Sequence, residues 1–385
     1  MRLELNPQQR AAREEFRAFV AAEIAPHAGR WDRAAAIPME LVDRLRERGY
    51  LGSNVPAEYG GPGRDNVTYG LLTEEIGKGC SSVRSLLTVH DMVAHVIGRW
   101  GSQGQRERYL PALAKGDAGR KTIGAFCLSE PNAGSDAKSV ETVARDDGDA
   151  WVLDGRKKWT TFGQIANLFL VLAQLGEKSD GKPTAFLVER DLPGVTVRPL
   201  PGITGTRASM LAEVFFEGCR VPKASLIGKP GFGVSAVMST ALDHGRYSVA
   251  WGAVGLAQAC LDASRAYAAE RRQFGVPIAD HQLVRRMLTN MIAEVRAARL
   301  LCLRAGWLRD TRDPGATGEI WVAKYFASTM ATRAALDAVQ IHGANGCSEG
   351  FPVERYLRDS RVLEIIEGST QIQQITIPLF ELQEL

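Results

Sequence analysis

The hydrophobic and polar positions change period twice along the chain. From about Pro7 to Lys115, apolar residues return at three- and four-residue steps. Phe16, Phe19, Val20 and Ile24 fall on one stripe, Met39–Leu45 repeats the style after Pro38, and Leu71–Ile76 and Leu86–Trp100 carry it on. That spacing predicts amphipathic helices, interrupted by a Gly/Pro-rich loop at Pro56–Gly63. From about Lys121 to Pro222 the period falls to two. Ala150–Leu153 sits between Asp147-Gly148 and Asp154-Gly155, and Leu168–Leu172, Thr184–Val188, Val195–Val197 and Val214–Phe216 are short runs parted by Gly, Pro and Asp. These read as strands, and without helices between them they do not form a parallel α/β sheet. From Phe232 onward the helical period returns in Gly233–Arg271, Gln282–Arg309 and Glu319–His342, joined by short loops. Long helices on short loops predict an antiparallel bundle. The expected class is α+β: an N-terminal helical domain (1–120), a middle antiparallel β domain (121–230) and a C-terminal four-helix bundle (231–385).

Composition narrows the function more than the fold. With 385 residues, 45% hydrophobic and 24% charged, the chain has material for two or three domains. A net charge of +3 gives no reason to expect nucleic acid or an anionic membrane as partner. The six cysteines are scattered without a C-x-x-C pair, which fits reduced thiols in the cytoplasm. The start, Met1–Pro7, lacks an apolar core and reads as mature protein, and no apolar run reaches the roughly 18 residues of a membrane span.

The common catalytic signatures are missing. Gly61-Pro-Gly63-Arg-Asp-Asn66 fails the dinucleotide fingerprint at its third glycine, and neither a P-loop nor a G-x-S-x-G elbow occurs. The six histidines lack metal-ligand spacing, so no metal is expected. What stands out instead are clusters of small and polar residues: Ser129–Asp136, Lys158-Trp-Thr-Thr-Phe-Gly163 and His342–Gly346. A tryptophan beside two threonines suits stacking on a flat ring whose edge the hydroxyls bond.

Taken in order, these clusters resemble the acyl-CoA dehydrogenase family over essentially the whole chain, which implies that family's helix–sheet–helix fold and an FAD cofactor. In Phe126–Asp136 the resemblance assigns Phe126, Leu128 and Ser129 to the pyrimidine edge of the flavin, and Ser135 to the pantetheine or phosphate of the acyl carrier. It places Trp159 against the isoalloxazine and Thr161 near flavin N5. Arg271 and Phe274, in Glu270-Arg-Arg-Gln-Phe-Gly275, would reach the FAD pyrophosphate of a neighbouring subunit, with Gln340 and Gly343 at the adenine end. A shared site implies a homo-oligomer, a dimer or tetramer.

The last signature, Ile366-Glu-Gly-Ser-Thr-Gln371, resembles the segment that bears the catalytic base. Dehydrogenation of a thioester takes the α-hydrogen as a proton and the β-hydrogen as a hydride, so one carboxylate must reach the α-carbon. Glu367 is the expected base, since an apolar pocket raises a carboxyl pKa and strengthens the base. Gly368 would lie at the substrate, and Ser369 and Gln371 at the cofactor. Some branches carry the base just before the arginine matching Arg246; here that position is Gly245. Asp243 and Arg246 match positions that meet the carrier arm and line the acyl pocket. Arg84, in Ser82-Val-Arg-Ser85, matches an arginine that meets the substrate's distal carboxylate in glutaryl-CoA dehydrogenases, although the acidic residue expected seven places earlier is Gly77. The competing reading of Arg84 is an ordinary solvated helix residue.

The expected activity is therefore dehydrogenation of a short, polar or carboxylated acyl-CoA or acyl-carrier-protein thioester, with an electron-transfer flavoprotein or similar acceptor. The chain's end, Thr376–Leu385, departs from the family's usual helix and suggests a specialised branch. The alternatives are oxidation of a short hydroxyacyl- or aminoacyl-carrier protein for polyketide extender units, a flavin monooxygenase or oxidase on the same scaffold, and a flavin-free binding homologue.

Overall fold

The computed structural model describes residues 4–116, 122–176 and 181–382, so the reading of the chain start at Met1 and the domain boundary at 120/121 lie outside them. Six helices come first: α1 Pro7–Glu23, α2 Ala28–Ala34, α3 Met39–Glu47, α4 Asn66–Gly79, α5 Ser81–Trp100 and α6 Gln103–Ala114. Their starts follow local chemistry. Asn6 and Gln9 form a capping box on α1 with Pro7 in its first turn, Asp65 caps α4, and Ser102 and Gln105 form a second capping box on α6. Helices α4 and α5 are buried along nearly their whole length, because later helices cover the faces the first domain leaves open.

The middle of the chain forms eight strands: β1 Gly124–Cys127, β2 Val143–Asp147, β3 Ala150–Thr160, β4 Leu168–Leu175, β5 Lys182–Glu189, β6 Val195–Pro199, β7 Ala212–Pro222 and β8 Leu226–Ile227. They pair in the order β6-β7-β3-β2-β4-β5-β8, with β1 on β4. Most pairs are antiparallel, but β1 and β2 both run parallel to β4. The unbroken apolar run of β4 follows from burial on both faces. The pairing of β3 with β7 slips between Lys157 and Thr160, which frees Trp159 from the ladder.

The chain then turns through a π-helical segment, Gly233–Met238, into α7 Ser239–Glu270. A short hairpin follows, β9 Arg272–Gln273 and β10 Val276–Pro277, and then α8 Gln282–Asp310, α9 Ala316–His342, α10 Val353–Ile365 and α11 Thr370–Leu382. Helices α7 to α10 pack on one another, α11 lies along α9, and α4 and α5 close the other side of α7. One close crossing explains a departure from the family pattern. A Cβ on Gly77 would stand 2.9 Å from the Cα and carbonyl oxygen of Gly252, so the α4–α7 contact admits no larger residue there.

Candidate active site

Helix α10 ends at Ile365, and Ile366 turns extended while its N–H still bonds Val362. Glu367 and Gly368 then both take positive φ, 56° and 91°, before α11 begins. A non-glycine residue in that region costs of the order of 1–3 kcal/mol and persists only where its surroundings over-determine it. Here three side chains do so. Arg246 Nε donates to the Glu367 carbonyl (3.0 Å), Gln373 Nε2 to the carbonyls of Glu367 (3.3 Å) and Gly368 (3.2 Å), and Lys324 Nζ to that of Gly368 (2.7 Å).

The turn aims the Glu367 carboxylate at the bare backbone of Gly245. A Cβ at that position would come within 2.8 Å of Glu367 Cδ and Oε2 and 2.9 Å of Met92 Sδ. Oε2 is buried and has no hydrogen-bond partner. Burial pushes the carboxyl up to about 7, against the opposing pull of Arg246, Arg84 and Lys324. Arg246 in turn donates to Asp243 (2.6 Å) and lies 3.8 Å over the ring of Trp321.

Deeper between α5 and α7 the lining is polar. Arg84 is 1% exposed, which removes the reading of a solvated helix residue. Its Nη1 donates to Thr88 Oγ1 (3.0 Å), which shares a hydrogen bond with Ser248 Oγ (2.7 Å). Its Nε and Nη2 are buried without partners among the described residues. Burial lowers the guanidinium to about 10, with Glu367 the largest opposing charge. The arginine stem crosses Gly252, where a Cβ would lie 2.8 Å from Arg84 Cδ.

A shelf lies at the ends of β1 and β3. The buried Lys157 Nζ bonds Glu130 (2.6 Å) and the Leu128 carbonyl (3.2 Å), and the Lys158 N–H bonds the Ser129 carbonyl (2.9 Å), so the two segments are tied together. Above them Trp159, at φ 64°, is 51% exposed, and Phe126, Ser129 and Thr161 are half-buried beside it. An exposed indole flanked by hydroxyls fits the face and edge of a flavin.

The structure separates the remaining expected residues. Gly368 and Ser369 belong to the Glu367 turn, Gln371 lies in the first turn of α11, and Ser135 is exposed on the loop after β1. Arg271, Phe274, Gln340 and Gly343 lie at the other end of the helical layer, where Asn345 Nδ2 donates to Tyr267 Oη and joins the ends of α9 and α7. Twenty-five helical steps part Arg246 from Arg271, about 37 Å at 1.5 Å per residue. All four are exposed, Phe274 by 95%.

Sequence reasoning missed Thr88, Ser248, Tyr69, Lys324 and Gln373. Arg84 and Thr88 are one helical turn apart, a spacing that could have paired them. His95 and His244, 149 positions apart, stack at 4.8 Å. Among the described residues, no group of three or more His, Cys, Asp or Glu could hold a metal ion. Five of the six cysteines are buried, all are free, and no described helix is long and apolar enough to cross a membrane.

A buried carboxylate with a raised pKa and an unpartnered oxygen can take a proton from a carbon acid. The chain belongs to the acyl-CoA dehydrogenase family: residues 6–117, 125–219 and 231–378 match its N-terminal, middle and C-terminal domains. Its members are FAD-dependent oxidoreductases acting on the CH–CH bond of acyl-CoA. The chain is 42% identical to the probable acyl-CoA dehydrogenase YngJ of Bacillus subtilis, over 98% of each chain. It is 36% identical to a glutaryl-CoA dehydrogenase of Desulfococcus multivorans, over 99% of this chain and 98% of that one. Among solved structures, a glutaryl-CoA dehydrogenase in complex with glutaryl-CoA superposes with a TM-score of 0.93 at 36% identity, covering 100% of this chain and 97% of that one. FkbI, for biosynthesis of the methoxymalonyl extender unit of the polyketide Fk520, gives 0.87 at 33% identity over 97% and 99%.

Proposed function

We propose that this chain is an FAD-dependent dehydrogenase of a short, polar or carboxylated acyl thioester, with Glu367 as the base that takes the α-proton. The observation that carries the reading is the pairing of two buried, unsatisfied groups that feel each other's charge: Glu367 Oε2 and Nε and Nη2 of Arg84. An unpaired carboxylate pushed up to about 7 is a competent base near neutral pH. A buried guanidinium with two free donors suits a carboxylate or other oxygen acceptor far better than an alkyl tail.

Trp159, Thr161, Phe126, Leu128 and Ser129 would hold FAD, which when bound would supply the acceptor for the β-hydride. The chain's own residues do the rest. Arg246 and Gln373 fix the turn that aims Glu367, the Glu367 N–H would donate to the thioester oxygen as negative charge develops there, and Arg84, Thr88 and Ser248 orient the acyl group. The reading extends to an electron-transfer flavoprotein or similar acceptor, to a cytoplasmic setting, and to a homo-oligomer in which Arg271, Phe274, Gln340 and Gly343 serve a neighbour's cofactor.

A second reading keeps the chemistry and changes the carrier: a hydroxyacyl or aminoacyl group on an acyl carrier protein. The likeness to FkbI over nearly the whole chain favours it. The holoenzyme should be yellow and bleach anaerobically with a cognate thioester, and Glu367→Gln should keep FAD but lose the bleaching. Bleaching at the wild-type rate in that variant sinks the base assignment. A panel of butyryl-, glutaryl- and succinyl-CoA, with the same groups on an acyl carrier protein, separates the two carriers. Preference for a long neutral chain removes Arg84 from the substrate site.

A further inference from the structure

Lys324 projects from α9 and is 0% exposed, although neighbouring positions on that helix are apolar. Burying an ammonium is costly unless its protons are used. Its protons go to Gly368 O (2.7 Å) and, more weakly, to Glu364 O (3.5 Å), carbonyls that bracket the left-handed turn of Glu367 on both sides. A neutral donor could satisfy two carbonyls, so a charge at this depth needs a further reason. We propose that Lys324 is a positioning residue for the base: its ammonium clamps the end of α10 to the Glu367-Gly368 turn, and its charge holds the Glu367 carboxylate in the ionised form that accepts a proton. The proposal rests on the reading of Glu367 as base, and deepens it.

The charged groups around Glu367 come from four helices: Arg84 on α5, Asp243 and Arg246 on α7, Lys324 on α9 and Glu364 on α10; α11 contributes the neutral Gln373. Burial lowers Lys324 to about 8, with Glu367 the largest charge opposing that fall, and Lys324 in turn lowers Glu367. Removing the ammonium leaves Arg84 and Arg246 as cations, so the carboxyl should titrate at higher pH without becoming permanently protonated.

The test is an infrared titration of the Glu367 carboxyl in the FAD-loaded enzyme, isolated by difference from Glu367→Gln, which needs no turnover. Wild type should show a midpoint near 7. Lys324→Met should move it up by about one pH unit, and Lys324→Arg, which keeps the charge, should return it most of the way. Bleaching by butyryl-CoA at pH 7 should slow about fivefold in the methionine variant, as the ionised fraction of Glu367 falls, with KM little changed. If that variant does not fold, Lys324→Gln, which keeps a donor and loses the charge, takes its place. A midpoint that stays at the wild-type value in the neutral variant overturns the proposal, whatever the rate. Bleaching by Glu367→Gln, by contrast, would refute the base reading and leave the clamp to be judged on the titration alone.

Discussion

At the scale of single residues, the base depends on what is missing opposite it. The Glu367 carboxylate fills the space a side chain at 245 would need, since a Cβ there meets Cδ and Oε2 at 2.8 Å. Gly245→Ala should therefore fold, because the glycine lies within α7 where alanine is the better helix former. It should nevertheless push the carboxylate off line. A displacement near 1 Å costs about 100-fold in rate, so single-turnover flavin reduction should fall by that order while the melting temperature holds. Reduction at the wild-type rate would show that the cleft adapts. Glu367 and Gly245 were legible in the sequence because a six-residue string and a missing side chain can be read without coordinates. Lys324 was not, because a lysine in a long helix reads as a solvated face until the helices around it are placed. Arg84 was legible as an identity and illegible as an environment: only the packing of α4, α5 and α7 shows it to be buried beside Thr88 and Ser248.

At the scale of elements, periodicity located the long pieces and missed those shaped by contact. Helices α7 to α9 and strands β3 to β7 lie where their patterns predict, whereas β1 has four residues and β2 is mostly exposed and polar, so neither carries an alternating signal. Helix α10 was hidden behind the family string, and its strained exit is set by Arg246, Lys324 and Gln373 from three other helices. One element contact yields a pH prediction. Asp91 on α5 accepts the Gly52 N–H (2.7 Å) through Oδ1 and pins the loop after α3, while its buried Oδ2 has no partner. Burial raises this carboxyl from 3.8 to about 8 in the folded state. The folded protein thus keeps its proton over a range where the unfolded chain has lost it. The stability is fully present below about pH 4 and drains away as pH rises towards 8. Asp91→Asn keeps the acceptor and cannot ionise. Its melting temperature should match or trail wild type near pH 4.5 and exceed it by several degrees near pH 8.5. Parallel curves across that range would place Asp91 in contact with solvent.

At the scale of the whole molecule, the residues proposed to serve the active site fall in two groups. Arg246 and the Glu367 turn it holds lie towards the start of α7, and Arg271, Phe274, Gln340 and Gly343 towards its far end, about 37 Å along the helix. The second group is exposed, and Leu283, Leu300, Leu336, Ile375 and Leu379 add exposed apolar side chains on the same C-terminal helices. Apolar surface of that extent in a single chain suits association, and association is also what would carry one chain's Arg271 to another chain's flavin. Arg271→Ala should then weaken FAD retention by about 10- to 100-fold, the loss of a charge-assisted contact to phosphate, while Glu367→Gln retains FAD without being reduced. Neither variant alone should bleach at limiting FAD. Co-expressed, they should regain reducible sites, because a mixed dimer pairs the intact Glu367 of one subunit with the intact Arg271 of the other. A site contained within one chain predicts no recovery, since every subunit then carries a defect in its own site. Flavin content and anaerobic bleaching of the co-expressed pair decide between the two arrangements.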